Sequence, residues 1–312
     1  MPRTPTATAP PVRELKDLTR LVQRAPGFPE ILAALKNGRA ATIDGAWGSA
    51  APLAAAAAGL HAPTTLLIVL AHVGDLDDFA DDVATFAGAR PEVFPAWDRL
   101  PREAGPADEV FGRRLRVIKR LAGAAPPRFV VAPMQALLQP VPTPEVLART
   151  SRVVRVGEAV PIEELTAWLA ALGMTRVEVV EVAGEFSLRG GILDVFPPDL
   201  AEPVRLEFFG DDVESIRPFD PETQRSLGRW DSVALAAVPP FDGDRLGDLG
   251  PMTDYLPPGT WVALVEPNDL REEGRHYLGR ADDTRGLYTL DKTFARLLRH
   301  PSVTLSTLAA DS

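Results

Sequence analysis

The chain has 312 residues, 46% of them hydrophobic and 24% charged, which is typical of a globular protein with more than one compact unit. The formal net charge of −10 argues against binding of nucleic acid along the whole surface, because phosphate contacts need a dense basic surface. Cysteine is absent, which excludes disulfides, thiol nucleophiles and cysteine-ligated zinc.

No segment of the sequence predicts a membrane anchor or a signal peptide. The start, "MPRTPTATAPPVRELKDL", has no apolar core of signal-peptide length. The most apolar window, 51–71, is interrupted by Gly59, His61 and Pro63, and predicts a helix followed by a strand. We therefore expect a cytoplasmic protein with no membrane partner.

Helical and strand patterns alternate through the first half of the chain. Residues 1–11 are rich in Pro, Thr and Ala and are predicted to be a disordered tail. The helical patterns lie at 12–36, after a glycine loop at 44–49, at 76–88 and at 107–123. The strand patterns lie at 64–71, at 91–98 and in "RFVVAP". This alternation predicts a parallel sheet with helices on its faces.

The pattern changes near residue 150 and again near 240. After the helix "PIEELTAWLAALG", residues 175–238 are rich in strand patterns, and "GTWVALVEP" and "DKTFARLLRH" then restore a strand and a helix. We expect an α/β domain with a P-loop-like parallel sheet, interrupted by an inserted α+β domain. The predicted boundaries are 12–150 and 241–312 for the two parts of the α/β domain, and 151–240 for the insertion.

The loop 45–52 lies where a phosphate-binding loop would, between a strand and a helix. Gly45 fits the first glycine of the pattern G-x-x-x-x-G-K-[ST], and Gly48 adds to the glycine content of the loop. Ala51 stands in place of the lysine and Pro52 in place of the hydroxyl that binds magnesium, so both ligand groups are missing. We predict a degenerate nucleotide site, with a working nucleotide site as the alternative.

Other candidate sites have simpler explanations. The aspartates between 75 and 82 suit the N-terminal end of a helix, and the four histidines lack metal-ligand spacing. No G-x-S-x-G motif is present. We expect no metal, no cofactor and no catalytic site.

The stretch 186–220 predicts two β-hairpins with one unusual face. In "VRLEFF", strand alternation separates a core set from an outward set. The core set is Val204, Leu206 and Phe208, and the outward set is Arg205, Glu207 and Phe209. In "GEFSLRGG", Phe186 and Leu188 are predicted inside, with Ser187 and Arg189 outside. An exposed phenylalanine forfeits about 1.5–3 kcal/mol of burial, so Phe209 either packs beneath helix 161–172 or contacts a partner.

The sequence from "GEFSLRGGILDVFPP" to "FDPETQRSL" resembles the inserted domain of the transcription-repair coupling factor family (Mfd), and more distantly that of UvrB. The segments "FPAWDRLPREAGPADEVFGRRLRVIKRL", "VVAPMQALLQPVP" and "DGAWGSAAPL" extend the resemblance, which covers residues 12–240. In UvrB the last of these segments is a working P-loop, and in the coupling factors it has decayed. Beyond residue 240 only the α/β texture and the position support the match.

The resemblance implies a module that binds UvrA, the damage-recognition ATPase of nucleotide excision repair. The two arginines and one aromatic residue that make this contact in the family match Arg189, Arg205 and Phe209. Three neighbours are further candidates: Arg217, Gln224 and Arg225.

The chain also departs from the family. A complete coupling factor is an ATP-dependent DNA translocase that also binds RNA polymerase, but this sequence has no G-K-[ST] loop and no D-E-x-H box. We therefore expect a non-enzymatic N-terminal fragment or a truncated product, whose UvrA site is permanently exposed because the masking C-terminal domain is missing. The alternatives are a nucleotide-sensing module or a DNA-binding module related to UvrB, although no long aromatic hairpin is present for DNA binding.

Overall fold

The computed structural model describes residues 12–98, 107–236, 248–281 and 283–308. The predicted tail at 1–11 and the predicted boundary near 240 lie outside these ranges. The described chain forms a six-stranded parallel sheet with helices on both faces and a separate five-stranded mixed sheet, together with two small two-stranded sheets. None of the helices in the described part is both long and apolar enough to cross a membrane.

The elements alternate along the chain much as the sequence patterns indicate. The helices are α1 (Leu18–Val22), α2 (Phe28–Lys36), α3 (Ala50–Gly59), α4 (Leu76–Ala87), α5 (Glu109–Ala122), α6 (Met134–Leu138), α7 (Pro144–Arg149), α8 (Ile162–Ala171), α9 (Pro267–Arg280) and α10 (Leu290–Leu297). The strands are β1 (Ala41–Asp44), β2 (Leu66–Leu70), β3 (Glu92–Val93), β4 (Phe129–Pro133), β5 (Val141–Pro142), β6 (Ser151–Arg155), β7 (Thr175–Arg176), β8 (Glu185–Arg189), β9 (Ile192–Val195), β10 (Val204–Phe209), β11 (Asp212–Pro218), β12 (Ser232–Ala236), β13 (Leu249–Gly250), β14 (Trp261–Val265) and β15 (Ser302–Ser306).

The parallel sheet has the strand order β1-β15-β14-β2-β4-β3. Its inner strands are apolar along their length because helices cover both faces. In β2, Leu67 and Val69 enter one core while Leu66 and Ile68 enter the core on the opposite face. The predicted parallel sheet between two helical layers is therefore confirmed.

Several elements differ from the sequence expectation. The strand predicted over 91–98 is only two residues long, because the backbone after Phe94 bonds to the side chains of Arg114 and Gln139 instead of to β4. The patterns do not predict α9, which is strongly polar, or the short strand β15. Both β14 and β15 lie between β1 and β2, so residues from the second part of the chain complete the sheet formed by the first.

A buried arginine fixes the chain that follows β3. The guanidinium of Arg114, on α5, lies 4.2 Å from the ring centre of Phe94 and 4.5 Å from that of Trp97. It donates to the carbonyl oxygens of Pro95 at 2.7 Å and Pro140 at 3.1 Å. Burial lowers the pKa of Arg114 to about 9. The aromatic rings and carbonyls replace the carboxylate that a buried arginine usually needs.

The mixed sheet has the strand order β11-β10-β9-β8-β7, and all its neighbours are antiparallel except β7 with β8. The two predicted hairpins, β8–β9 and β10–β11, are therefore confirmed. Helix α8 packs on one face of the sheet. The core between them includes Leu165, Leu169, Phe186, Leu193, Leu206, Phe208 and Ile216.

The mixed sheet is joined to α5 through the segment after β9. The buried carboxylate of Asp199 pairs with Lys119. The backbone carbonyl oxygen of Asp199 accepts a hydrogen bond from Arg116 Nε at 2.7 Å. Lys119 also donates to the carbonyl of Ala234 in β12 at 3.0 Å. Burial raises the pKa of Asp199, although Lys119 opposes that effect. These contacts hold the mixed sheet against a helix of the α/β body.

The contact between α5 and the segment after β9 also depends on a glycine, Gly112, and this allows the packing between them to be tested. A Cβ at Gly112 of α5 would overlap the carbonyl oxygen of Pro198, whereas nothing lies within 4 Å of a Cβ at Gly279 of α9. We expect Gly112→Ala to lower the free energy of unfolding by about 1–3 kcal/mol, since overpacking exceeds the gain in helix propensity. Gly279→Ala, the control, should raise it by about 0.5–1 kcal/mol. Urea unfolding measures both, and a fully stable Gly112→Ala would contradict close packing at this joint.

Candidate partner-binding site

The outer face of the mixed sheet, away from α8, carries two rows of mostly polar side chains. Directly paired residues on neighbouring strands point to the same side of a sheet. One row is Ser187, Asp194, Arg205 and Arg217, and the next is Arg189, Ile192, Glu207 and Ser215. The register therefore brings Arg189 and Arg205 to one face, as the alternation predicts.

Ser187 lies on this outward face, as predicted, but its side chain is buried. Its hydroxyl donates to the carbonyl oxygen of Glu178 at 2.9 Å, and the N–H of Val177 donates to the carbonyl of Phe186 at 2.9 Å. The chain after β7 therefore covers the Ser187 end of the first row. The open part of the face begins at Arg189 and Arg205.

Asp194 joins the two arginines. Its side chain is 1% exposed, and Arg205 binds it through two hydrogen bonds, from Nε to Oδ1 at 2.6 Å and from Nη2 to Oδ2 at 2.8 Å. Arg189 Nη2 reaches the same Oδ2 at 3.2 Å. Hydrogen bonding to Asp194 is the main cause that raises the pKa of Arg205 above its ordinary value. One buried carboxylate on β9 thus orients two cations on the strands that flank it, β8 and β10.

Two further groups restrain Arg205. Its guanidinium lies 4.7 Å from the ring centre of Phe219, and Nη2 also donates to Gln224 Oε1 at 3.2 Å. Gln224 is held in the left-handed region at φ 57°, with its Nε2 donating to the carbonyl of Pro221 at 2.8 Å. The predicted candidate Gln224 therefore contacts Arg205 directly.

The two remaining candidates differ in their connection to this face. Arg217 pairs with Glu207 at 3.1 Å, and Glu207 accepts from the hydroxyl of Ser215 at 2.6 Å. Arg225 lies in the exposed chain after β11, where its carbonyl accepts from the N–H of Asp220 at 2.9 Å. Its side chain makes no hydrogen bond or ion pair to any residue in the described ranges.

Phe209 ends β10 with its side chain in solvent. It is 75% exposed, so the alternative that it packs beneath helix 161–172 is wrong. A β-bulge precedes it: Glu207 pairs with Ser215 but Phe208 pairs with Val213, which leaves Glu214 as an extra residue in β11. Alternation along β10 continues past this point, so Phe208 enters the core while Phe209 projects from the outer face.

Two residues of the face are not singled out by the sequence reasoning. Asp194 and Ile192 both lie at outward positions of β9, and Ile192 is 39% exposed between Arg189 and Glu207. Alternation along "ILDV" would have placed both of them outward. The signal was weak, since an outward aspartate in a strand is ordinary and its burial depends on the arginines that cover it.

The 45–52 loop lies at the carboxyl edge of the parallel sheet, between β1 and α3. Gly45 and Gly48 both have positive φ, and the N–H of Ala46 donates to the carbonyl of Ser306 at 3.0 Å. Ala51 and Pro52 are buried in the first turn of α3 and contribute no charge or hydroxyl. Among the residues described, no group of three His, Cys, Asp or Glu side chains is arranged to hold a metal ion.

Comparison with known proteins identifies the relatives of this chain. Residues 153–241 match the family described as the UvrB interaction domain. The chain is 35% identical over 225 residues to a transcription-repair-coupling factor from Mycobacterium tuberculosis, covering 70% of this chain and 17% of that protein. The chain is homologous to the N-terminal region of the coupling factors.

Two more coupling factors support this relationship. The protein from Haemophilus influenzae is 35% identical over 156 residues, covering 50% of this chain and 14% of the relative. The protein from Bacillus subtilis is 28% identical over 224 residues, covering 71% and 19%. The chain therefore spans less than a fifth of the length of these relatives, and no motor-domain family is detected in it. The matched domain contains Arg189, Arg205 and Phe209.

The two adjacent phenylalanines of β10 allow the exposed position to be tested. Phe208 is buried in the core, so Phe208→Ala should lower the free energy of unfolding by about 3–5 kcal/mol. Phe209→Ala should change it by less than about 0.5 kcal/mol, because the ring contributes little to the folded core. Denaturant unfolding of both variants checks this. A loss above about 2 kcal/mol for Phe209→Ala would show that the ring supports the fold.

Proposed function

We propose that this module recruits UvrA, without catalysis of its own, as part of a coupling factor that links stalled RNA polymerase to nucleotide excision repair. The observation that carries the proposal is the exposed ring of Phe209 beside the Asp194-oriented arginines, within a domain that matches the UvrB interaction family. That family description supports a repair protein as the partner, and the resemblance of Arg189, Arg205 and Phe209 to the family's contact residues supports UvrA.

The energetics of the outer face favour a protein partner. Burying a phenylalanine contributes about 1.5–3 kcal/mol, and aromatic and arginine residues are the usual anchors of protein interfaces. Three arginines (Arg189, Arg205, Arg217) lie with two carboxylates (Asp194, Glu207), so the cluster carries one net positive charge. This local charge contrasts with the net charge of −10 of the chain. It suits a partner with an apolar pocket and an acidic or carbonyl-rich rim.

The other activities of a coupling factor are proposed to belong to parts of the relatives beyond the matched region. ATP hydrolysis, translocation and binding of RNA polymerase and DNA are therefore not assigned to the residues of this chain. The proposed role places the module in the cytoplasm, where transcription and repair meet in bacteria.

The proposed site is tested by calorimetric titration of UvrA with the wild-type chain and with Arg205→Ala/Phe209→Ala. We expect micromolar binding by the wild type. The double variant should bind at least about 30-fold more weakly, because truncation of an interface anchor costs about 2 kcal/mol or more. Both proteins must melt cooperatively for the comparison to count.

A matched control removes one arginine and one exposed apolar residue elsewhere in the domain. Arg152 and the exposed Val153 lie on β6, in the two-stranded sheet with β12. Arg152→Ala/Val153→Ala should bind UvrA like the wild type. Equal loss in both double variants would move the interface away from the outer face, and no binding by the wild type would contradict the proposed partner.

The 45–52 loop is proposed to be degenerate. A ligand that binds only the native state raises the melting temperature. We therefore expect millimolar ATP with magnesium to leave the melting temperature unchanged, because the loop should not bind it. The reason is the missing ammonium and hydroxyl at Ala51 and Pro52. Differential scanning fluorimetry with and without nucleotide measures this, with magnesium alone as the control. A rise specific to ATP would favour the nucleotide-sensing alternative.

A further inference from the structure

Asp194 is placed to act on a partner only through other residues. Its carboxylate is 1% exposed, so a docking protein cannot reach it. Both oxygens are occupied, Oδ1 by Arg205 Nε and Oδ2 by one nitrogen from each arginine. A buried carboxylate is costly unless it is paired and hydrogen-bonded, and these two arginines provide that compensation.

The same bonds leave part of each guanidinium available. Arg205 uses Nε and Nη2 on Asp194 and Gln224, and no residue in the described ranges accepts a hydrogen bond from its Nη1. Arg189 donates only through Nη2 and is 54% exposed. Each arginine therefore keeps N–H groups that can donate hydrogen bonds to a carboxylate or carbonyl oxygen of a partner.

We infer that Asp194 is a positioning residue for recognition: it fixes Arg189 and Arg205 side by side before the partner arrives. This inference rests on the proposed function of the outer face. Without the shared carboxylate, the two like charges on either side of β9 repel each other, and two long side chains must be ordered during binding. The partner that fits presents acceptor oxygens to the arginines and an apolar pocket to Phe209 and the adjoining Ile192.

A purely structural role for Asp194 makes a different prediction. If the ion pairs only stabilise the sheet, then loss of Asp194 should affect stability and leave the binding of folded protein unchanged. The chain offers a matched control for this distinction. Asp199 is also a buried carboxylate with a cationic partner, Lys119, but it faces α5 rather than the outer face.

The test measures UvrA binding by calorimetry for the wild type, Asp194→Asn, Asp199→Asn, Arg205→Ala and Asp194→Asn/Arg205→Ala. Asp194→Asn should bind about tenfold more weakly, in the range by which residues that orient a functional group usually act. The same change should cost less than about threefold in the Arg205→Ala background, because most of the effect passes through Arg205. Asp199→Asn should bind like the wild type.

A spectroscopic measurement on the free chain tests the positioning itself. In the wild type, the Arg205 Nε–H proton should give a distinct resonance that exchanges slowly with water, because it is bonded to a buried oxygen. The resonance should move to the position of solvated arginines in Asp194→Asn. An unchanged resonance would overturn the inference, whatever the effect on stability.

The outcomes separate this inference from the function on which it rests. No binding by the wild type contradicts the proposed partner, and the role of Asp194 in recognition falls with it. Wild-type binding with equal affinity for Asp194→Asn, or an equal loss in both backgrounds, overturns only the positioning role. If Asp194→Asn does not melt cooperatively, Asp194→Ala replaces it, since alanine removes the carboxylate without placing an amide NH₂ against the arginine donors. A loss of binding that disappears in the Arg205→Ala background would then support the inference, and unchanged binding would overturn it.

Discussion

The structure depends on the insertion of β14 and β15 between β1 and β2 in the parallel sheet. This order means that the first strands cannot form a continuous sheet until the chain has passed through the mixed-sheet domain and returned. The exit and the return are paired: β5 joins β13, and β6 joins β12, each pair antiparallel. The two ends of the excursion are thereby held together, which is the condition for a second domain to interrupt a sheet without opening its core.

The mixed sheet that carries the outer face is connected to that core through a few residues of α5. Helix α5 lies against the parallel sheet with Leu115, Ile118 and Leu121, and its opposite side holds Asp199 through Arg116 and Lys119. The same helix carries Arg114, whose buried guanidinium orders the chain around Trp97. One helix therefore supports both the α/β core and the orientation of the mixed sheet, so the outer face is presented from a fixed base.

The sequence predicted the structure best for strands that are buried on both faces of a sheet and for strands whose apolar and polar residues alternate strictly. Strands β2, β4 and β14 are continuous apolar runs, and "VRLEFF" alternates so strictly that the outward direction of Phe209 could be predicted. Its exposure could not, because alternation does not show whether helix 161–172 covers the ring. Helix α9 could not be predicted because it buries only two large side chains, Leu270 and Tyr277, in an otherwise polar sequence. Its third buried residue is Gly274, which packs against Leu290 and gives no apolar signal. The role of Asp194 and the burial of Ser187 depend on neighbours distant in sequence, which alternation within one strand does not reveal.

The bulge at Glu214 has a consequence for shape. A bulge increases the local right-handed twist of the two strands that contain it. Here it lies between the row of Arg189 and Glu207 and the ring of Phe209, so the added twist falls between the cations and the aromatic ring. A partner of the proposed site would have to follow this twist in order to contact both. Shape, and not charge alone, would then separate a specific partner from any acidic protein with an apolar patch.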